Sequence, residues 1–128
     1  MKIISFNINS VRARPHQLEY IRDHLDPDVI GLQETKVHDD EFPVELINEI
    51  GYHCEYWGQK GHYGVALLSK GKPIEISKGF LKDTAEDQKR FIQGKYKFKK
   101  NYIYILNGYF PQGENRNHES KFPKKIKY

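Results

Sequence analysis

The sequence contains one cysteine, Cys54, one methionine and one tryptophan in 128 residues. A single cysteine excludes an intramolecular disulfide, so the expected setting is the reducing cytoplasm. No apolar stretch approaches the roughly 20 residues that a membrane-spanning helix needs. The opening segment, Met1-Lys2-Ile3-Ile4-Ser5-Phe6-Asn7, lacks the apolar core and small-residue cleavage site of a secretory signal. Internal repeats, linkers and low-complexity tracts are also missing, and the length suits one domain over 1–128, not two. What is present is aromatic. Nine Tyr and seven Phe in a 38% hydrophobic chain are too many for a disordered polymer.

The net charge of +4 conceals a polar layout. Residues 1–55 hold 5 basic and 11 acidic side chains, a net of −6; residues 56–114 hold 11 and 5, a net of +6; residues 115–128 hold 5 and 1, a net of +4. Such a split suits a metal near the acidic half and a polyanion along the basic half, and it equally suits solvated surface charge.

The hydrophobic pattern gives an element order. Residues 2–8 alternate as a strand, with Ile4, Phe6 and Ile8 on one face and Ile3, Ser5 and Asn7 on the other. Pro15 suits the first turn of a helix running to Leu25, in which Leu18, Ile21 and Leu25 recur at helical spacing. Asp26-Pro27-Asp28 stops it, and Val29–Glu34 reads as a second strand. A short helix over 43–50 ends at Gly51. From there the chain reads as strands: Tyr52–Trp57, Val65–Ser69, Ile74–Ser77, Arg90–Phe98 and Tyr102–Tyr109, with a hairpin turn at Lys100-Asn101. The expected class is α/β, with a helix pair on one face of one mixed, mostly antiparallel sheet and little left to cover the other face.

Several residues have chemistry to offer. Glu34 closes an apolar strand, where a carboxylate either meets a hard cation or turns into solvent. Asn7 and Asn9 are suited to hydrogen-bond a phosphate or a carboxylate ligand, or to make a turn. In Gln59-Lys60-Gly61-His62-Tyr63-Gly64, Lys60 and backbone amides can hold phosphates and Tyr63 can pack on a sugar or base; a plain hairpin loop has the same composition. Arg90 can pair with a phosphate. Tyr109 opens a Gly- and Pro-bearing loop, where its phenol can donate to a phosphoryl oxygen or serve as a core aromatic. Cys54 reads as a small buried hydrophobe.

Four segments in this order resemble the exodeoxyribonuclease III family of DNA repair nucleases. They are Ser5-Phe6-Asn7-Ile8-Asn9, Pro27 through Lys36 with its Leu32-Gln33-Glu34-Thr35 run, Gly58 through Leu68, and Asn107-Gly108-Tyr109-Phe110-Pro111-Gln112-Gly113-Glu114. The likeness runs from Met1 to about Pro123. It implies a four-layer α/β sandwich, two sheets stacked between outer helices, with the active site at one end. It also implies hydrolysis of DNA phosphodiesters with Mg²⁺ or Mn²⁺: 3′ to 5′ removal of nucleotides from duplex DNA, cleavage 5′ to abasic sites, and clearing of blocked 3′ ends. On the matching positions, Glu34 and Asn7 belong to the metal site, and Tyr109 joins them at the scissile phosphate. Asn9, Lys60, Gly61, Tyr63, Arg90 and Gln112 contact duplex DNA.

Beyond Tyr109 the family pattern continues with a Gly-Asp-x-Asn motif, another Asp, and an Asp-His pair near the C-terminus, and this sequence has no Asp after Tyr109. The resemblance therefore implies the N-terminal half of a family member, truncated at the C-terminus and inactive alone. It also implies a sheet whose bare inner face favours self-association, although the family is monomeric. The alternatives are a non-catalytic DNA-binding fragment, half of a split nuclease, or a phosphoesterase of the same superfamily acting on small molecules.

Overall fold

A computed structural model describes residues 1–58, 61, 63–79 and 91–109. The first strand, β1 (Ile3–Asn7), leads through a loop to α1 (Pro15–Leu25). Pro15 occupies the first helical turn, where its missing N–H costs nothing. Leu18 and Ile21 are the buried face, and Asp26 ends the helix in the left-handed region, its N–H bonded to the Ile21 and Arg22 carbonyls. Then come β2 (Val29–Gln33), a single 3-10 turn (Asp39–Glu41) and α2 (Val44–Ile50). Gly51 closes α2 at φ 116°, a conformation that costs a side-chain-bearing residue energy. Five strands follow: β3 (His53–Trp57), β4 (Val65–Ser69), β5 (Glu75–Lys78), β6 (Phe91–Phe98) and β7 (Asn101–Gly108).

The strands form two sheets, not the single sheet expected. The first has the order β1-β2-β4-β3, with β1 parallel to β2 and the other pairs antiparallel. The second has the order β5-β6-β7 and is antiparallel throughout. The second sheet covers the face of the first that the sequence reading left bare. Alternation within each strand defines its faces correctly, but it does not say which strand faces which.

The reason for the cover is visible in β2 and β4. All five residues of each are buried, so neither strand has a solvent face. On one side Ile30, Leu32, Ala66 and Leu68 pack under the helices with Leu18, Ile21, Ile47 and Ile50. On the other, Val29, Val65 and Leu67 pack against Ile92, Tyr96 and Ile105 of the second sheet. The described chain is thus three layers: helices, first sheet, second sheet. The ground for expecting self-association, an uncovered inner face, is absent. The outer face of β7 does carry exposed Tyr102, Tyr104 and Leu106.

Element limits differ by a residue in places. β5 starts at Glu75, and the last hairpin turns at Lys99-Lys100, because Phe98 pairs with Asn101. Lys99 takes a φ of 58° there. No helix among the described residues is long and apolar enough to cross a membrane.

Candidate active site

Three strands end at the same edge of the sandwich. β1 ends at Asn7, β2 ends one residue before Glu34, and β7 ends one residue before Tyr109. The parallel pairing of β1 with β2 places Asn7 opposite Gln33 and therefore beside Glu34. Asn7 Nδ2 donates to Glu34 Oε2 at 2.6 Å. Tyr109 Oη donates to Glu34 Oε1 at 3.3 Å, across 75 residues of sequence. The half-buried carboxylate is thereby held by a neutral donor on each oxygen.

Asn9 joins from the same loop. Its backbone N–H donates to Asn7 Oδ1 at 3.1 Å, so Asn7 is oriented from both ends of its amide. Lys36 Nζ donates to Asn9 Oδ1 at 2.6 Å, and Arg14 Nε donates to the Asn9 carbonyl at 3.0 Å. The Lys36 ammonium thus bonds an amide oxygen, and no salt bridge to Glu34 occurs among the described residues. Nor does any group of three or more His, Cys, Asp or Glu side chains gather there. The described residues bring one carboxylate to the site.

The backbone around Glu34 is strained. Asn9, Ser10, Glu34, Lys36 and Tyr63 all have positive φ, between 49° and 85°. Residues other than glycine avoid this region, and such outliers gather where a fold holds a site in a fixed shape. Cross-loop bonds hold them here: the Ser10 N–H to the Glu34 carbonyl, 2.8 Å, the Val11 N–H to the Thr35 carbonyl, 3.1 Å, and the Lys36 N–H to the Tyr63 carbonyl, 2.9 Å. The left-handed turn at Glu34 diverts the chain at the end of β2, and with it the carboxylate leaves the apolar face of Ile30 and Leu32.

Gly61 and Tyr63 lie alongside. Tyr63 sits tilted against Tyr109, ring centroids 6.1 Å apart. Gly61 donates its N–H to the Lys36 carbonyl at 3.4 Å. Of the nine residues singled out in the sequence, Asn7, Asn9, Glu34, Gly61, Tyr63 and Tyr109 therefore lie at one edge of the fold. Lys60, Arg90 and Gln112 lie outside the described residues.

The sequence reading missed Asn107 and Gln33 as structural actors. Asn107 is 6% exposed and Gln33 9% exposed, and they bond each other between the sheets. Asn107 follows Ile103 and Ile105 on an inward face, and an amide at such a position needs buried partners. That was the available signal. Cys54 is buried, as expected, and burial pushes its thiol up to about 11, far from a reactive thiolate.

Comparison with known proteins supplies the lineage. Residues 4–122 match the model of the Endonuclease/Exonuclease/phosphatase family. The chain is 56% identical to exodeoxyribonuclease III of Haemophilus influenzae over all 128 residues, which is 48% of that protein. Among solved structures it superposes on an AP endonuclease from Archaeoglobus fulgidus with a TM-score of 0.83 and 36% identity, covering 99% of this chain and 47% of that one. It also superposes on the 3′ phosphatase NExo from Neisseria bound to a product DNA hairpin, with a TM-score of 0.84 and 30% identity, covering 100% and 48%. The chain spans about half the length of these relatives. With residues 4–122 matched, and with the strand ends that carry Asn7, Glu34 and Tyr109 meeting at one edge, the chain belongs to the Endonuclease/Exonuclease/phosphatase family.

Proposed function

We propose that this chain supplies part of the active site of a DNA-repair phosphodiesterase of the exodeoxyribonuclease III type. The observation that carries the reading is the convergence of Asn7 and Tyr109 on the two oxygens of Glu34. A half-buried carboxylate with no cationic partner among the described residues favours a metal ion. The donor set is oxygen, which suits Mg²⁺ or Mn²⁺, and Mg²⁺ is often held by one or two protein carboxylates with water filling the rest. Glu34 is the ligand in this reading. Asn7 turns its amide N–H toward Glu34 and so orients the ligand from the side.

The bound ion supplies neutralisation of charge on the phosphate and on the departing 3′ oxygen. The chain's own residues do the positioning. When a phosphate enters, Tyr109 turns its O–H from Glu34 to a phosphoryl oxygen, a donor already placed where negative charge grows. Tyr63 beside it offers a flat face to a sugar or base. Asn9, Lys60, Gly61, Arg90 and Gln112 hold the backbone of duplex DNA at abasic sites, nicks or 3′ ends. Water attacks phosphorus in line, and catalysis here is placement and charge stabilisation, with no covalent intermediate on the protein.

One carboxylate does not activate a water and hold a metal together. Full turnover in this reading needs residues carried by the other half of the relatives' length, and the 128 residues by themselves bind without cutting. The localisation that goes with this reading is the cytoplasm, and the single buried thiol supports it.

Mn²⁺ binding tests the reading on the chain as it is, through the electron paramagnetic resonance signal of free Mn²⁺. The chain should bind one ion saturably, with binding weakened at least tenfold in Glu34→Gln and little changed in Tyr109→Phe. Equal binding by wild type and Glu34→Gln contradicts the reading.

A further inference from the structure

We propose that Asn107 is a positioning residue: its carboxamide locks the register of the two sheets and so sets Tyr109 against Glu34. This deepens the reading above by naming what assembles the site, and its test uses neither metal, DNA nor turnover.

The geometry is specific. Asn107 Nδ2 donates to the Leu32 carbonyl and to the Ala66 carbonyl, at 2.8 Å each. Its Oδ1 accepts from Gln33 Nε2 at 2.7 Å. Gln33 Nε2 also reaches Ser5 Oγ at 3.0 Å and the Gly31 carbonyl at 3.2 Å. One side chain of β7 is therefore tied to β2 and β4, and through Gln33 to β1.

Leu32 and Ala66 are direct partners in the β2–β4 ladder, so the amide of Asn107 is centred on one rung of the first sheet. Gly31 supplies the room, since a Cβ there would stand 3.1 Å from Asn107 Cγ and Oδ1. The cluster packed around it between the sheets is mainly apolar: Val29, Val65 and Leu67 against Ile92, Ile105 and the ring of Tyr96. Apolar contact is non-directional and tolerates sliding. Hydrogen bonds are not so tolerant, and a slip of one residue along β7, about 3.4 Å, breaks all three bonds of Asn107.

From this anchor both arms to the site are short. Glu34 is the residue after Gln33. Tyr109 is two residues after Asn107, on the same face of the strand direction. The register that seats Asn107 is thus the register that brings the phenol to the carboxylate, 3.3 Å away.

The test is a fluorine resonance. The chain is labelled with 3-fluorotyrosine, and the Tyr109 signal is assigned by its loss in Tyr109→Phe. In the wild-type background Glu34→Gln moves that signal. In Asn107→Ser the same Glu34→Gln change should move it by less than half as much. Gln33→Met, which removes the bond to Asn107 together with those to Ser5 and Gly31 and keeps the side-chain length, should reduce the movement too, and it decides the matter if Asn107→Ser does not fold. Ile105→Val loosens the same interface without touching the amide; it should lower the melting temperature and leave the movement intact. The proposal is overturned if the movement persists in the amide variants, or if Ile105→Val abolishes it equally.

Discussion

Gln33 donates to Asn107 at 2.7 Å across the two sheets, linking residues 74 positions apart. The bond joins the strand that ends beside Glu34 to the strand that ends beside Tyr109. Fold and site share this element: the polar contact that aligns the sheets also aligns the two groups that face each other at their edge.

Gly31 is the space that contact needs. Its Cα lies under the Asn107 carboxamide, and an added Cβ would come within 3.1 Å of it. Gly31→Ala should push the amide off its two carbonyl acceptors and destabilise the chain by about 1–3 kcal/mol, as overpacking does in a close-packed interior. Chemical denaturation measures this. An unchanged midpoint would mean that the amide has slack.

The left-handed turn at Glu34 makes a second prediction. At φ 55° alanine is strained and glycine is not. Both Glu34→Ala and Glu34→Gly remove the carboxylate, but the glycine variant should be more stable by about 1 kcal/mol, the cost of the left-handed region for a residue with a Cβ. The two unfolding curves decide it. Equal stability would show that the turn relaxes once the carboxylate is gone.

Gly58 and Gly64 also carry close approaches. A Cβ on Gly64 would collide with Thr35 Oγ1 at a φ of 92°, and one on Gly58 would collide with the Val37 carbonyl. Gly71 has open space and no such backbone. Gly58→Ala and Gly64→Ala should each lower stability by about 2 kcal/mol or more, while Gly71→Ala stays within about 0.5 kcal/mol of wild type. Thermal unfolding of the three variants tests the ranking.

Cys54 sets an alkaline limb of stability. Burial raises its pKa from 9.0 to about 11, so the folded state holds the proton that the unfolded chain releases first. Its contribution is complete below pH 9 and is lost as the pH rises from about 9 to about 11. Tyr52 and Tyr96 are raised by burial as well and titrate in the same direction. Cys54→Ala should therefore flatten this limb in part. A stability profile between pH 8 and pH 11 measures it, and identical slopes in the two proteins would show that the thiol does not contribute.

The sequence carries most of the element order. Leu18 and Ile21 at helical spacing, and the alternation through Ile92 and Tyr96, are properties that a one-dimensional pattern records well. It carries the layer order poorly. Apolar residues on both faces of Val29–Gln33 and Val65–Ser69 said that two covers were needed, yet pairing between strands is a long-range property that period-2 alternation does not encode. In the site, Asn7, Glu34 and Tyr109 stood out in the quoted segments, and the structure brings them within hydrogen-bonding distance. The positive φ values at Glu34, Lys36 and Tyr63 left no mark in the sequence, because none of these residues is glycine. Asn107 left a faint one, a polar residue among inward-facing isoleucines.

Cleavage of an end-labelled duplex with one abasic site tests the central claim most directly. The chain is assayed alone and mixed with the remaining half of a family relative, each with Mg²⁺ and with EDTA. The account predicts cutting only in the mixture, only with metal, and lost in Glu34→Gln. Cutting by the 128 residues alone, or cutting in the mixture that survives Glu34→Gln, would contradict it.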